Sequence, residues 1–90
     1  MAKERTDSFE QTEQFQGFEH ELILYNDDVN TFDFVIETLI EVCGHDPVSA
    51  EQCALIAHYR GKCMIKAGEE AELEPMAREM TDRGLTISIK

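Results

Sequence analysis

The chain of 90 residues has no tryptophan, only two prolines and three cysteines, and eight basic residues against nineteen acidic ones. Each scarcity removes a class of function. A formal net charge of −11 repels nucleic acid and anionic lipid headgroups, so neither nucleic acid nor a membrane is an expected partner. No apolar run approaches the roughly 20 residues of a membrane span. The first residues also lack the apolar segment of a signal peptide, which gives the expectation of a cytoplasmic protein. Cys43, Cys53 and Cys63 are odd in number and form no Cys-x-x-Cys pair. That argues against a disulfide framework and leaves them as small hydrophobes. With His45 and His58 they supply the atoms of a zinc site but none of its usual close pairs, so no metal is expected. There is no Gly-rich phosphate loop and no nucleophile motif. Neither a cofactor nor a catalytic residue is expected, and the protein reads as a non-enzyme.

What is present divides in two. Residues 1–19 are polar and rich in Gln and Glu, with Phe9, Phe15 and Phe18 isolated and without a period. Such a segment buries too little apolar surface to offset its ordering entropy and reads as a disordered N-terminal tail. Residues 20–90 form the expected core domain. Leu22, Ile23, Leu24 and Tyr25 make a short β-favouring run, so His20 to Tyr25 reads as a strand. Asn30 is the expected helix N-cap, with Asp33 three residues on. Phe32, Val35, Ile36, Leu39, Ile40 and Cys43 then fall on one apolar stripe, and Gly44 closes the helix.

Asp46-Pro47 opens a second helix, with proline at the position where its missing N–H costs nothing, and Gly61 ends it. Cys63-Met-Ile65 reads as a short second strand. Pro75 is tolerable only in a first turn, so the third helix is expected to start late, near residues 71–74, and to end before Gly84. Leu85-Thr-Ile-Ser-Ile89 alternates as a last strand. The order β-α-α-β-α-β, with helices on one face, predicts an α+β two-layer sandwich: a three-stranded antiparallel sheet and three helices.

One stretch stands out. The apolar run ending at Tyr25 stops at Asn26-Asp27-Asp28, and a helix pattern begins directly after it. Asn and Asp are ordinary residues for a strand-to-helix corner. They are also acceptors that, beside an apolar wall, can hold an ammonium group through charge-assisted hydrogen bonds. His58, late in the second helix, is either a surface residue or a partner in that same site. The run Glu69-Glu70-Ala71-Glu72-Leu73-Glu74 favours a helix N-terminus, and it equally suits docking to a basic surface.

Leu24-Tyr-Asn-Asp-Asp28, Asn30-Thr-Phe-Asp-Phe-Val35 and His58-Tyr-Arg-Gly-Lys62 together resemble the ClpS family over residues 20–90. These are bacterial adaptors that bring N-degron proteins to a ClpA- or ClpC-type AAA+ unfoldase coupled to the Clp protease. The resemblance implies a monomeric adaptor without a cofactor that binds chains beginning with Leu, Phe, Tyr or Trp. It implies that Asn26, Asp27 and His58 bind the substrate's α-ammonium group, and that Asp28 and Asn30 support the turn and the peptide backbone. Phe32, Val35, Ala54, Ala57 and Leu85 fall where the family lines its apolar side-chain pocket. Ala54 stands where the family commonly has Met, which implies a roomier pocket that also admits Ile, Val or Met. Pro75 lies near an expected unfoldase contact, and the tail would be engaged by the unfoldase pore. The C-terminal domain of the ribosomal stalk protein, an interaction module of similar fold, is the alternative reading.

Overall fold

The computed structural model describes residues 19–90. The tail read over residues 1–19 lies, but for its last residue, outside the described residues. The elements are β1 (His20–Tyr25), α1 (Phe32–Cys43), α2 (Pro47–Arg60), β2 (Lys62–Gly68), α3 (Glu70–Asp82) and β3 (Thr86–Ile89). Both pairings are antiparallel and the strand order is β2-β1-β3, so β1 is the central strand. The expected β-α-α-β-α-β sandwich is what forms.

The central strand carries the reason for this layering. Leu22 and Leu24 are almost fully buried and share one face, as period-two alternation requires. Against that face pack Leu39 and Cys43 of α1, Ala50 and Ala57 of α2, and Leu73 and Met80 of α3. Alanines at the α2 positions leave room for this helix to approach its neighbours closely. A register shift between Leu22 and Ile23 leaves Ile65 as the extra residue of β2. The Ile65 carbonyl receives a 2.7 Å hydrogen bond from His45 Nε2. The bulge thus exchanges a ladder bond for a side-chain partner.

Two local expectations are corrected. The N-cap of α1 is Thr31, not Asn30: the Thr31 hydroxyl accepts the Phe34 N–H at 3.1 Å. Asn30 is unavailable because its side chain is drawn to Asp27 and Gly84. Helix α3 begins at Glu70, earlier than its proline suggested, and Pro75 lies inside it. The proline withholds one N–H from the Ala71 carbonyl, and both residues lie on the exposed face. Water can satisfy that carbonyl, so the helix persists where a buried proline would break it.

Candidate functional site

Three chain reversals meet at one end of the sheet. The β1–α1 corner is Asn26-Asp27-Asp28, the α2–β2 corner turns on Gly61, and the α3–β3 corner on Gly84. Gly61 and Gly84 have φ of 95° and 99°, a region costly for a residue with a Cβ. The Asn26 N–H donates to the Gly61 carbonyl at 2.9 Å. Asn30 Nδ2 donates to the Gly84 carbonyl at 2.9 Å. The acidic corner is therefore tied to both of the others.

Asp27 organises the corner itself. Its Oδ1 accepts the N–H groups of Val29 and Asn30 at 2.9 and 2.8 Å, and its Oδ2 accepts Asn30 Nδ2 at 3.0 Å. Partial burial alone would push this carboxyl up. The N–H of Asn30, the Asn30 side chain and the N–H of Val29 outweigh it and hold the group below its ordinary value. Asp27 is thus a carboxylate at neutral pH. Both N–H bonds of the Asn30 amide are committed, so Asn30 Oδ1 is left as an acceptor. Support of the turn falls to Asp27 rather than to Asp28, whose exposed side chain makes no hydrogen bond among the described residues.

A pocket of about 40 Å³ opens beside this corner. Its polar side is Asn26, Asp27, Asn30 and His58; its apolar side is Leu24, Phe32, Val35, Ala54 and Ala57, with Tyr25 at the edge. Phe32 and Val35 are a turn apart on α1, and Ala54 and Ala57 a turn apart on α2, so two helix faces make the apolar wall. Phe32 is 42% exposed, and its ring meets the His58 imidazole edge-on at 5.5 Å. His58 also meets the Tyr59 ring at 4.8 Å. Outside Phe32 the pocket continues into an open trough of about 330 Å³ along Asp28 and Tyr59.

Nine of the ten residues singled out in the sequence stand around this pocket or its trough. Leu85 does not: it is buried in the hydrophobic core and lines neither. Leu24 and Tyr25 line the pocket and were not singled out, although Leu24 sits two residues before Asn26 on the core face of β1. The expectation of a roomier pocket at Ala54 meets a small cavity. A cavity of about 150 Å³ is what holds a benzene ring. With Phe32 closing one side, the short side chain at Ala54 does not leave space of that kind.

The sequence matches the family described as ATP-dependent Clp protease adaptor protein ClpS over residues 16–88. It is 39% identical over 57 residues to the ATP-dependent Clp protease adapter protein ClpS of Campylobacter jejuni strain 81-176, covering 63% of this chain and 59% of that protein. The corresponding protein of Hydrogenovibrio crunogenus is 34% identical over 59 residues, 63% of this chain and 57% of that one. The aligned region thus spans less than two thirds of these relatives' length. The fold is similar to that of Agrobacterium tumefaciens ClpS2, solved bound to L-phenylalaninamide. The TM-score is 0.78 at 24% identity, over 81% of this chain and 95% of that one.

Proposed function

Because this chain belongs to the ClpS family of adaptors for the ATP-dependent Clp protease, we propose that it selects proteins by a free, bulky, apolar N-terminal residue. It delivers them to a ClpA- or ClpC-type AAA+ unfoldase in the cytoplasm, acting as a monomer and catalysing nothing itself. The observation that carries this reading is the shared pocket: hydrogen-bond acceptors on one side and a side-chain-sized apolar wall on the other.

An α-ammonium group offers three N–H donors. The Asn26 side-chain oxygen, the unfilled lone pair of Asp27 Oδ2 and a His58 ring nitrogen, directly or through water, are three acceptors for it. Charge-assisted hydrogen bonds of this kind are worth about 1.5–3 kcal/mol each. The first side chain enters the wall of Phe32, Val35, Ala54 and Ala57, where burying a Leu or Phe contributes about 1.5–3 kcal/mol. The Phe32 ring, half-exposed and edge-on to His58, moves outward to admit it. Asp28, Asn30 and the trough beyond receive the peptide backbone that follows. The L-phenylalaninamide on the Agrobacterium relative, with a free amine and an aromatic side chain, supports this ligand chemistry. A stalk-type docking module would need no such pocket.

Fluorescent peptides beginning with Leu or Phe test the reading when compared with N-acetylated copies. Acetylation removes the charge and adds bulk where the amine sits, so binding falls by about tenfold or more. Equal binding of both forms, or none of either, overturns the reading. A second comparison addresses the small cavity. Ile-initiated peptides are expected to bind about tenfold more weakly than Leu-initiated ones, and Phe32→Ala is expected to narrow that gap. Equal affinity in the parent would mean that Ala54, not Phe32, sets the size limit.

A further inference from the structure

Four residues line both the pocket and the trough, and so stand where one opens into the other: Asp27, Asn30, Phe32 and His58. Three of them already have a part in the proposed recognition, Asp27 and His58 toward the ammonium group and Phe32 toward the first side chain. Asn30 has an atom left over. Its backbone N–H donates to Asp27 Oδ1 at 2.8 Å, and its Nδ2 donates to Asp27 Oδ2 at 3.0 Å and to the Gly84 carbonyl at 2.9 Å. These bonds fix the side chain and its sense. Turning the amide over would set Oδ1 against two oxygens, so Oδ1 is held as an acceptor and cannot change places with a donor. Asn30 Oδ1 has no hydrogen-bond partner among the described residues, yet it is not enclosed. Among those residues the one buried side-chain nitrogen or oxygen without a partner is Nδ1 of His45, in the α1–α2 connection. Asn30 Oδ1 therefore looks into the open space that its residue lines.

We propose that Asn30 Oδ1 accepts the N–H of the substrate's second residue, so that the site takes chains whose first peptide bond carries that hydrogen and turns away chains with proline in second place. The inference rests on the proposed N-terminal recognition and adds to it a requirement beyond the first residue. With the α-ammonium group on Asp27 and the first side chain on the apolar wall, the first peptide bond lies at the mouth of the pocket. It offers one donor, the second residue's N–H, and one acceptor, the first residue's carbonyl. A fixed acceptor pairs with the N–H and repels the carbonyl, so Oδ1 also sets which way the peptide plane turns. The spacing suits this. In the ligand, only Cα and the carbonyl carbon separate the α-nitrogen from the next nitrogen. In the protein, the bond from Asn30 Nδ2 to Asp27 Oδ2 and the single amide carbon set Oδ1 a similarly short step from the ammonium acceptor. Proline has no N–H and puts a ring methylene in its place. That covers Oδ1 without pairing it, and a covered, unpaired acceptor costs more than the lost bond alone. Because Asp27 and the Gly84 carbonyl hold Asn30 before any ligand arrives, the bond requires little further ordering.

The test compares three peptides on the full chain. One begins Phe-Ala, the second is its ester analogue with lactic acid for alanine, so that an oxygen stands where the N–H was, and the third begins Phe-Pro. Fluorescence anisotropy should show the ester bound about fivefold to tenfold more weakly than the amide, and Phe-Pro about tenfold more weakly or worse. In Asn30→Ala the amide loses affinity and the ester penalty shrinks to about twofold or less. Asp28→Ala is the control. The Asp28 side chain is exposed and bonds to nothing among the described residues, so its removal should leave the ester penalty unchanged, whatever it does to affinity overall. Equal binding of amide and ester by the parent, a full penalty in Asn30→Ala, or a penalty lost in Asp28→Ala overturns the proposal. If Asn30→Ala binds neither peptide, hydrogen exchange of the second-residue amide on the parent takes its place. Slowing by about tenfold or more in the complex supports the bond, and unchanged exchange overturns it. An N-acetylated Phe-Ala peptide separates this inference from the reading beneath it. If it binds as well as the free amine, or if nothing binds, the recognition reading falls and takes the inference with it. If only the free amine binds and the ester matches the amide, recognition stands and the part given to Asn30 falls alone.

Discussion

Replacing Asp27 by alanine is expected to weaken binding of Leu- and Phe-initiated peptides by about tenfold to a hundredfold, the equivalent of one charge-assisted hydrogen bond at about 1.5–3 kcal/mol. The carboxylate is the acceptor that holds Val29 and Asn30 in the turn, and in the proposed function it is also the charge facing the ammonium group. Asp27→Asn separates these roles. Its oxygen can still accept the two backbone N–H groups, but the charge is gone and its NH₂ would face the Asn30 NH₂, donor to donor. The pH dependence follows from the same group. Its folded pKa is depressed, so its contribution to stability is complete above the unfolded value of about 3.9. It is lost as pH falls through the lower folded value. Peptide affinity should fall over that acid range, and fall again as the peptide's α-amine deprotonates above about pH 8. Fluorescence anisotropy across this range, with circular dichroism to monitor folding, checks both limbs. If Asp27→Asn binds as tightly as the parent, the carboxylate charge is not what reads the N-terminus.

The sequence was readable wherever a local pattern decides the outcome. The period-two run of β1, the apolar stripe of α1, Asp46-Pro47 and the glycines at helix ends each act within a few residues, and each marks its element correctly. What escaped was set by distant partners. Asn30 reads as a cap because cap preference is local, yet Gly84, fifty-four positions away, and Asp27 take its amide and leave the cap to Thr31. Pro75 reads as a helix start because its penalty is usually prohibitive, yet the orphaned carbonyl faces water. In the site, the polar acceptors were legible from residue type. Leu85 and Leu24 were not distinguished, because both are apolar residues of strand patterns near a corner. Only the strand order, with β1 central, decides which of them reaches the pocket.

Leu24 is also where fold and site can be tested together. It is 2% exposed, belongs to the core and forms a pocket wall. Leu24→Ala is expected to cost about 2–5 kcal/mol. For the roughly seventy described residues, total stability is on the order of 4–11 kcal/mol, so the loss is large and the melting temperature should fall by about eight degrees or more, given about 4–8 °C per kcal/mol in a domain of this size. The space left behind differs from an ordinary core cavity because it opens into the pocket proposed to receive the peptide. A ligand side chain can refill it, and a ligand that binds only the folded state raises stability by mass action. A saturating Phe-initiated peptide should therefore recover more of the lost melting temperature in Leu24→Ala than it adds to the parent, and preference should shift from Leu toward Phe. Leu39→Ala is the control: Leu39 is fully buried in the same core but does not touch the pocket. It should lower the melting temperature by a comparable amount and leave peptide preference unchanged. Equal shifts in preference from the two substitutions would show that loosening the core anywhere alters recognition, and that the β1 wall has no particular part in it.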